Sequence, residues 1–145
     1  MTMIDLSIPR LKAMSAVRSY QDLRVWQQGM ILVQHACNLA DRLPRHQFYG
    51  LRSQIERAAY SVPANIAEGF GRDHLGDYLR HLSIANGSLK ELETLLLIAS
   101  QRRYLGDAEI ETALARTAEL GRMLSTLVKR LKQVRFNRVR PGPTT

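Results

Sequence analysis

The chain has 145 residues, 45% apolar and 23% charged, so one compact domain with short tails fits and a large multidomain enzyme is excluded. Lys and Arg number 21 against 13 Asp and Glu, a formal net charge of +8 that favours polyanionic partners. A single cysteine, Cys37, excludes an intramolecular disulfide and a cysteine-based zinc site.

No apolar run reaches the roughly 18 residues of a membrane span. Asp5, Arg10 and Lys12 interrupt the start where a signal peptide keeps an apolar stretch. The expectation is a cytoplasmic protein with no membrane partner. The charge is uneven: residues 129–145 hold six basic and no acidic residues, and supply most of the excess.

Four stretches repeat apolar residues at alternating spacings of three and four, which predicts an all-α chain. Residues 1–18 read as a loose leader, 19–132 as the helical body and 133–145 as a basic tail whose PGPTT ending cannot extend a helix.

In the first helix Leu23, Trp26, Met30, Val33, Cys37 and Ala40 share a face, Ser19 and Asp22 form a capping box at its start, and Pro44 ends it. Gly29 inside it costs about 1 kcal/mol relative to Ala. The second helix is predicted from about His46 to Glu68, with Leu51, Ile55, Ala59, Val62 and Ile66 inward. Gly69 suits a left-handed residue after its last turn, with Phe70 as the accompanying apolar contact.

The third helix starts near Asp73 as N-cap and carries the most regular seam: Leu75, Tyr78, Leu82, Ala85, Leu89, Leu92, Leu96 and Ala99. Gly106 then predicts a helix stop and Asp107 a new N-cap. In the fourth helix Ile110, Leu114, Thr117, Gly121, Leu124, Val128 and Leu131 form one row, and Ala113, Leu120, Leu127 and Val134 a second beside it. The second row either widens the core face or forms an oligomer surface. Four such helices with short connections predict an antiparallel up-and-down four-helix bundle.

The second helix also carries a polar stripe of Gln54, Arg57, Ser61, Asn65, Glu68 and Arg72 beside the apolar one. Pro63 lacks an N–H and its ring meets the Ala59 carbonyl, so the helix must kink or break there. Ser61 is placed to bond a carbonyl one turn back, and Asn65 to serve backbone groups that Pro63 frees. The alternative is that Asn65 and Glu68 face a subunit interface or a ligand.

Chemistry has little to stand on, and the expectation is a non-enzyme with no cofactor. No Glu is followed three residues later by His, as a di-metal carboxylate bundle needs. His74, Asp77 and His81 share one helix face, which is either a two-histidine, one-carboxylate metal set or ordinary solvated surface. Cys37 on an apolar stripe reads as a small buried hydrophobe rather than a nucleophile. Gly69-Phe70-Gly71 lacks the Lys and the preceding strand of a phosphate loop. At the C-terminal end Lys129, Arg130, Lys132, Arg135, Arg138 and Arg140, with Phe136 among them, combine counter-charge for phosphates with a ring able to stack on a base. The alternative is a solvated end.

Tyr20, Leu23, Val25 and Trp26, the run Arg57-Ala58-Ala59-x-Ser61-x-Pro63-x-Asn65-Ile66-Ala67-Glu68-Gly69-Phe70-Gly71-Arg72, and Leu89, Glu91, Leu92 and Glu93 carry a resemblance. Over roughly residues 20–130 the chain resembles the bacterial four-helix-bundle proteins first noted as reading frames inside intervening sequences of large-subunit ribosomal RNA genes. That family is similar to the accessory variability determinants of diversity-generating retroelements, which are homopentameric barrels that bind nucleic acid and a reverse transcriptase. The resemblance implies a homopentamer, with RNA or DNA and a reverse transcriptase as partners. It marks Arg57, Ser61, Pro63, Asn65, Glu68 and Gly69 as motif residues with a structural or interface role. A structural or adaptor oligomer that recruits a protein is the alternative to nucleic-acid binding.

Overall fold

A computed structural model describes residues 17–139. The described residues are all-helical, with no strands. After a 3-10 turn at Tyr20–Asp22 come α1 (Arg24–Ala40), α2 (Ser53–Phe70), α3 (Leu75–Gln101) and α4 (Asp107–Val139). A 3-10 turn at Arg45–Gln47 and a π-turn at Phe48–Arg52 lead into α2. Each helix packs on its sequence neighbour and α1 closes the ring against α4, as an up-and-down four-helix bundle requires.

The core is the convergence of the four apolar stripes. All eight seam residues predicted on α3 are buried, and Leu82, Leu89, Leu92 and Leu96 are fully so. Each such leucine stabilises the fold by about 1.5–3 kcal/mol relative to exposure. Ile55, Val62 and Ile66 meet them from α2, Leu32 and Ala36 from α1, and Leu120 and Leu124 from α4. Thr117 is the polar exception: its Oγ1 donates to the Leu114 carbonyl at 2.8 Å, so the buried hydroxyl is satisfied within its own helix.

The α1 stripe is rotated from the predicted one. Val25, Gly29, Leu32, Val33, Ala36, Leu39 and Ala40 are buried, while Met30 is exposed and Trp26 and Cys37 are half-buried. Gly29 lies on the rotated stripe facing α2, where an ideal Cβ would come to 3.4 Å from Pro63 Cβ, an ordinary packing contact. The Gly29 turn of α1 thus faces the proline of α2. The Ser19–Asp22 box also caps a different element. Ser19 Oγ accepts from the Gln21 N–H at 3.1 Å, and Asp22 accepts from the Arg18 and Ser19 N–H groups. These close the 3-10 turn, after which Leu23 is extended and α1 begins. The same backbone bonds hold the Asp22 carboxyl below its ordinary range.

Other predicted helix ends also move, and α2 begins at Ser53 rather than near His46. His74, not Asp73, is the N-cap of α3, with φ −104° and ψ 133°. Asp107 is the first residue of α4, and its carboxylate instead accepts from Ser100 Oγ at 2.6 Å, tying the α3 end to the α4 start. The left-handed residue of that turn is Arg103, with φ 58°, and not Gly106. Arg42 and Glu109 pair across the same end of the bundle. At the other end α4 passes residue 132 without a break and continues to Val139. At 1.5 Å per residue its 33 residues span about 50 Å, roughly twice the 17 residues of α1. No helix among the described residues is long and apolar enough to cross a membrane.

Candidate functional site

Two places carry the residues singled out in the sequence: the Pro63 segment of α2 and the cationic end of α4. In the first, α2 runs through Pro63 unbroken, which places Ser61 and Asn65 one turn apart on the side facing α3. Asn65 Nδ2 donates to the Ser61 carbonyl at 2.8 Å and to Ser61 Oγ at 3.0 Å. Ser61 Oγ lies 2.7 Å from Ser88 Oγ of α3. Asn65 Oδ1 lies 3.1 Å from His81 Nδ1.

These contacts fix the proton positions. Since the Asn65 amide nitrogen is committed as donor to Ser61, its oxygen must accept, so His81 carries its proton on Nδ1 and donates to Asn65. His81 is buried at 8% exposure, and Glu68 Oε2 stands 3.9 Å from the same nitrogen. Glu68 also pairs with Arg72 at 2.8 Å on the surface. The chain Ser88–Ser61–Asn65–His81 is thus a satisfied polar network stapling α2 to α3, with Glu68 at its solvent edge. Asn65 does serve a carbonyl one turn back, but it is that of Ser61 rather than the Ala59 carbonyl deprived of its donor by Pro63.

Gly69 has a role the sequence reading misassigned. It is helical, and no glycine among the described residues has a positive φ. A Cβ at Gly69 would lie 2.7 Å from His81 Cβ and 3.2 Å from Tyr78 Cδ1. Glycine is needed there because α3 crosses at that point. Phe70 is buried, as expected, edge-on to Tyr78 with ring centroids 6.2 Å apart. Burial pushes the Tyr78 hydroxyl up to about 12. Arg57 is exposed and stands outside the network.

The His74–Asp77–His81 set does not converge. His81 turns inward to Asn65 while His74 and Asp77 are exposed, and no group of three His, Cys, Asp or Glu side chains among the described residues is disposed to hold a metal. Burial pushes the half-buried Cys37 thiol up, with a hydrogen bond to Tyr60 opposing. The net effect keeps it protonated and a weak nucleophile.

At the second place, Lys129, Arg130, Lys132 and Arg135 are all exposed on α4, while Leu131 between them is buried and Val134 half-buried. Arg138 lies in the same helix but its side chain, like all of Arg140, lies outside the described residues. The cations do not form one patch. At about 100° per residue, Lys129 and Lys132 point to the α3 side, where Arg122 and Phe136 also lie, and Arg130 points away. Sequence reasoning missed Arg122 and the α3 residue Lys90. They line, with Lys132, an open groove of about 740 Å³ between α3 and α4. The recurrence of Arg122, Lys129, Lys132 and Phe136 at seven, three and four was a readable signal. The contribution of Lys90 needs the fold.

The sequence model described as 23S rRNA-intervening sequence protein matches residues 21–126. Among solved structures, the chain is similar to a protein with unknown function from the S23 ribosomal protein family of Bacteroides thetaiotaomicron VPI-5482, solved at 1.70 Å. Identity is 24% over 72% of this chain and 98% of that one, with a TM-score of 0.68, so the likeness concerns the fold. No curated protein matches significantly.

Proposed function

The chain belongs to the 23S rRNA-intervening sequence protein family, and within it we propose a non-catalytic bundle that binds RNA or DNA through phosphate contacts, with little sequence preference. The carrying observation is the charge of α4. From Arg122 to Val139 it has six basic residues and no acidic one, whereas residues 107–121 hold four acidic and one basic. Cations disposed around the last turns of a helix suit a phosphate backbone, which is read by charge rather than by base edges.

The test changes Lys129, Arg130, Lys132, Arg135, Arg138 and Arg140 to Gln, keeping Leu131 and Val134. Each phosphate contact to duplex contributes about 0.9 to the slope of log affinity against log salt. The variant should keep its fold and lose most affinity, with a slope shallower by roughly 3–5 per subunit engaged. Unchanged affinity and slope would remove the cationic end from the function.

Self-association completes the reading. Tyr20, Met30 and Tyr60 are exposed around Trp26 and Pro63 on the α1–α2 face, an apolar surface on which copies of the chain can pack. We assign the homopentamer to that face. Equilibrium sedimentation should give a mass near five subunits, and a stable monomer at micromolar concentration would dismiss it.

A further inference from the structure

The groove between α3 and α4 lies across the bundle from the α1–α2 face and is not accounted for by phosphate binding at the helix end. Its floor is apolar, with Leu79 and Val128 only half-buried above the fully buried Leu82 and Leu124. Its rim carries Lys90, Arg122 and Lys132 against two acids, Glu93 in the lining and Glu119 beside it on α4. Lys90 is 3.4 Å from Glu93, and Arg122 pairs with Glu119 at 2.6 Å. Lys132 has no carboxylate partner among the described residues.

Gly121 adds an independent observation. It sits mid-helix, where glycine is unfavourable by about 1 kcal/mol relative to Ala. A Cβ there would meet nothing within 4 Å, so packing within this chain does not require glycine at that position. A helix laid against α4 would use it, because small residues let backbones approach. Exposed Ala118 and Ser125 flank it on the same side. The lined stretch of α4 runs from Ala118 to Lys132. That is about 21 Å, the length of roughly four helical turns.

We infer that the α3–α4 groove is a docking site for an acidic amphipathic helix of a partner protein, its leucine-type face on Leu79 and Val128 and its carboxylates on Lys90, Arg122 and Lys132. Charge decides among occupants. Residues 1–16 of this chain carry Arg10 and Lys12 against Asp5, the wrong sign for this rim. A single-stranded nucleic acid would use aromatic rings to stack its bases, and none lines the groove.

The probe is a fluorescein-labelled, end-blocked 14-residue helix with leucines at i, i+4, i+7 and i+11 and glutamates between, beside a twin with lysine for every glutamate. By anisotropy at about 0.1 M salt, where charges are screened beyond about 10 Å, the acidic peptide should bind the full chain at least ~10-fold more tightly than its twin. Amide shifts should centre on Ser83, Asn86, Gly121 and Ser125. Ser125→Trp, at an exposed position, should weaken binding by ~10-fold or more. The triple change Lys90→Glu, Arg122→Glu, Lys132→Glu should reverse the preference toward the lysine peptide, and serves if the tryptophan variant misfolds. Arg130→Gln should leave peptide affinity within about twofold while lowering the duplex salt slope by about 1, so the two readings fail separately. Equal binding of the twins, or shifts elsewhere, would overturn the inference. So would self-association abolished by Ser125→Trp, which puts a second copy in the groove, or oligothymidylate displacing the peptide with the same shifts, which puts nucleic acid there.

Discussion

On its α2 side α3 buries His81 and Ser88 against Asn65 and Ser61, whereas on its α4 side it leaves Ser83, Asn86 and Lys90 along an open groove. Both seams contain a glycine, and the glycines differ. Gly69 of α2 is needed because His81 Cβ stands where its side chain would go, while Gly121 of α4 faces open space. The first seam is closed by matched polar groups at hydrogen-bond distance, the second left unfilled by the chain itself. Small and polar residues between helices are therefore not one signal: in one seam they hold the fold, and in the other they line open space.

The largest effect expected from this contrast is at Gly69. Gly69→Ala puts a methyl 2.7 Å from His81 Cβ, which cannot swing aside. Helices α2 and α3 must part, at about 3 kcal/mol, read as a lowered urea midpoint.

Next comes pH. The Tyr78 hydroxyl is raised from 10 to about 12 by burial in the closed seam. Between those values the native state keeps a proton that the unfolded chain has released, so stability falls as pH rises through that window. The loss is about 2–3 kcal/mol by pH 12. Tyr78→Phe should flatten that slope, and if it does not, the loss belongs to other groups.

Asn65→Leu, third in size, strands His81 Nδ1 and should cost about 2 kcal/mol with or without any ligand. Unchanged stability with reduced binding would instead move Asn65 from the seam to a binding surface.

Smallest, and opposite in sign, are Gly121→Ala and Gly87→Ala. Neither new Cβ meets an atom within 4 Å, and each should stabilise the helix by about 0.5–1 kcal/mol. Only the first should weaken peptide docking, which separates helix propensity from occupancy of the groove.

The α3 seam was legible because eight apolar residues at spacings of three and four admit one helical face, and all eight are buried. The α1 face was not, because Gly29 and Val25 lie inward through contact with another helix while the larger Met30 lies outward. Gly69 was misread for a related reason. A glycine near a helix end satisfies the local rule for a left-handed stop, and nothing local announces that residue 81 will cross above it. The Asn65–His81 contact joins residues sixteen apart, and the polar stripe hinted only at Asn65. The groove was beyond sequence reading, since its rim combines cations from two helices that only the fold brings together.

The mismatch between α4 and its shorter neighbour α1 has a consequence for exchange with solvent. Backbone amides in the last turns of α4 close bonds within their own helix, and from Lys132 to Asn137 every side chain but Val134 is exposed, so they belong to the class that opens locally at small free-energy cost. The basic residues there also sit at the negative end of the helix dipole and favour the helical form. A phosphate chain bound as proposed would draw on those same side chains while excluding water from the helix end. Deuterium uptake at residues 132–139 should therefore report occupancy independently of the core, whose amides exchange through global unfolding.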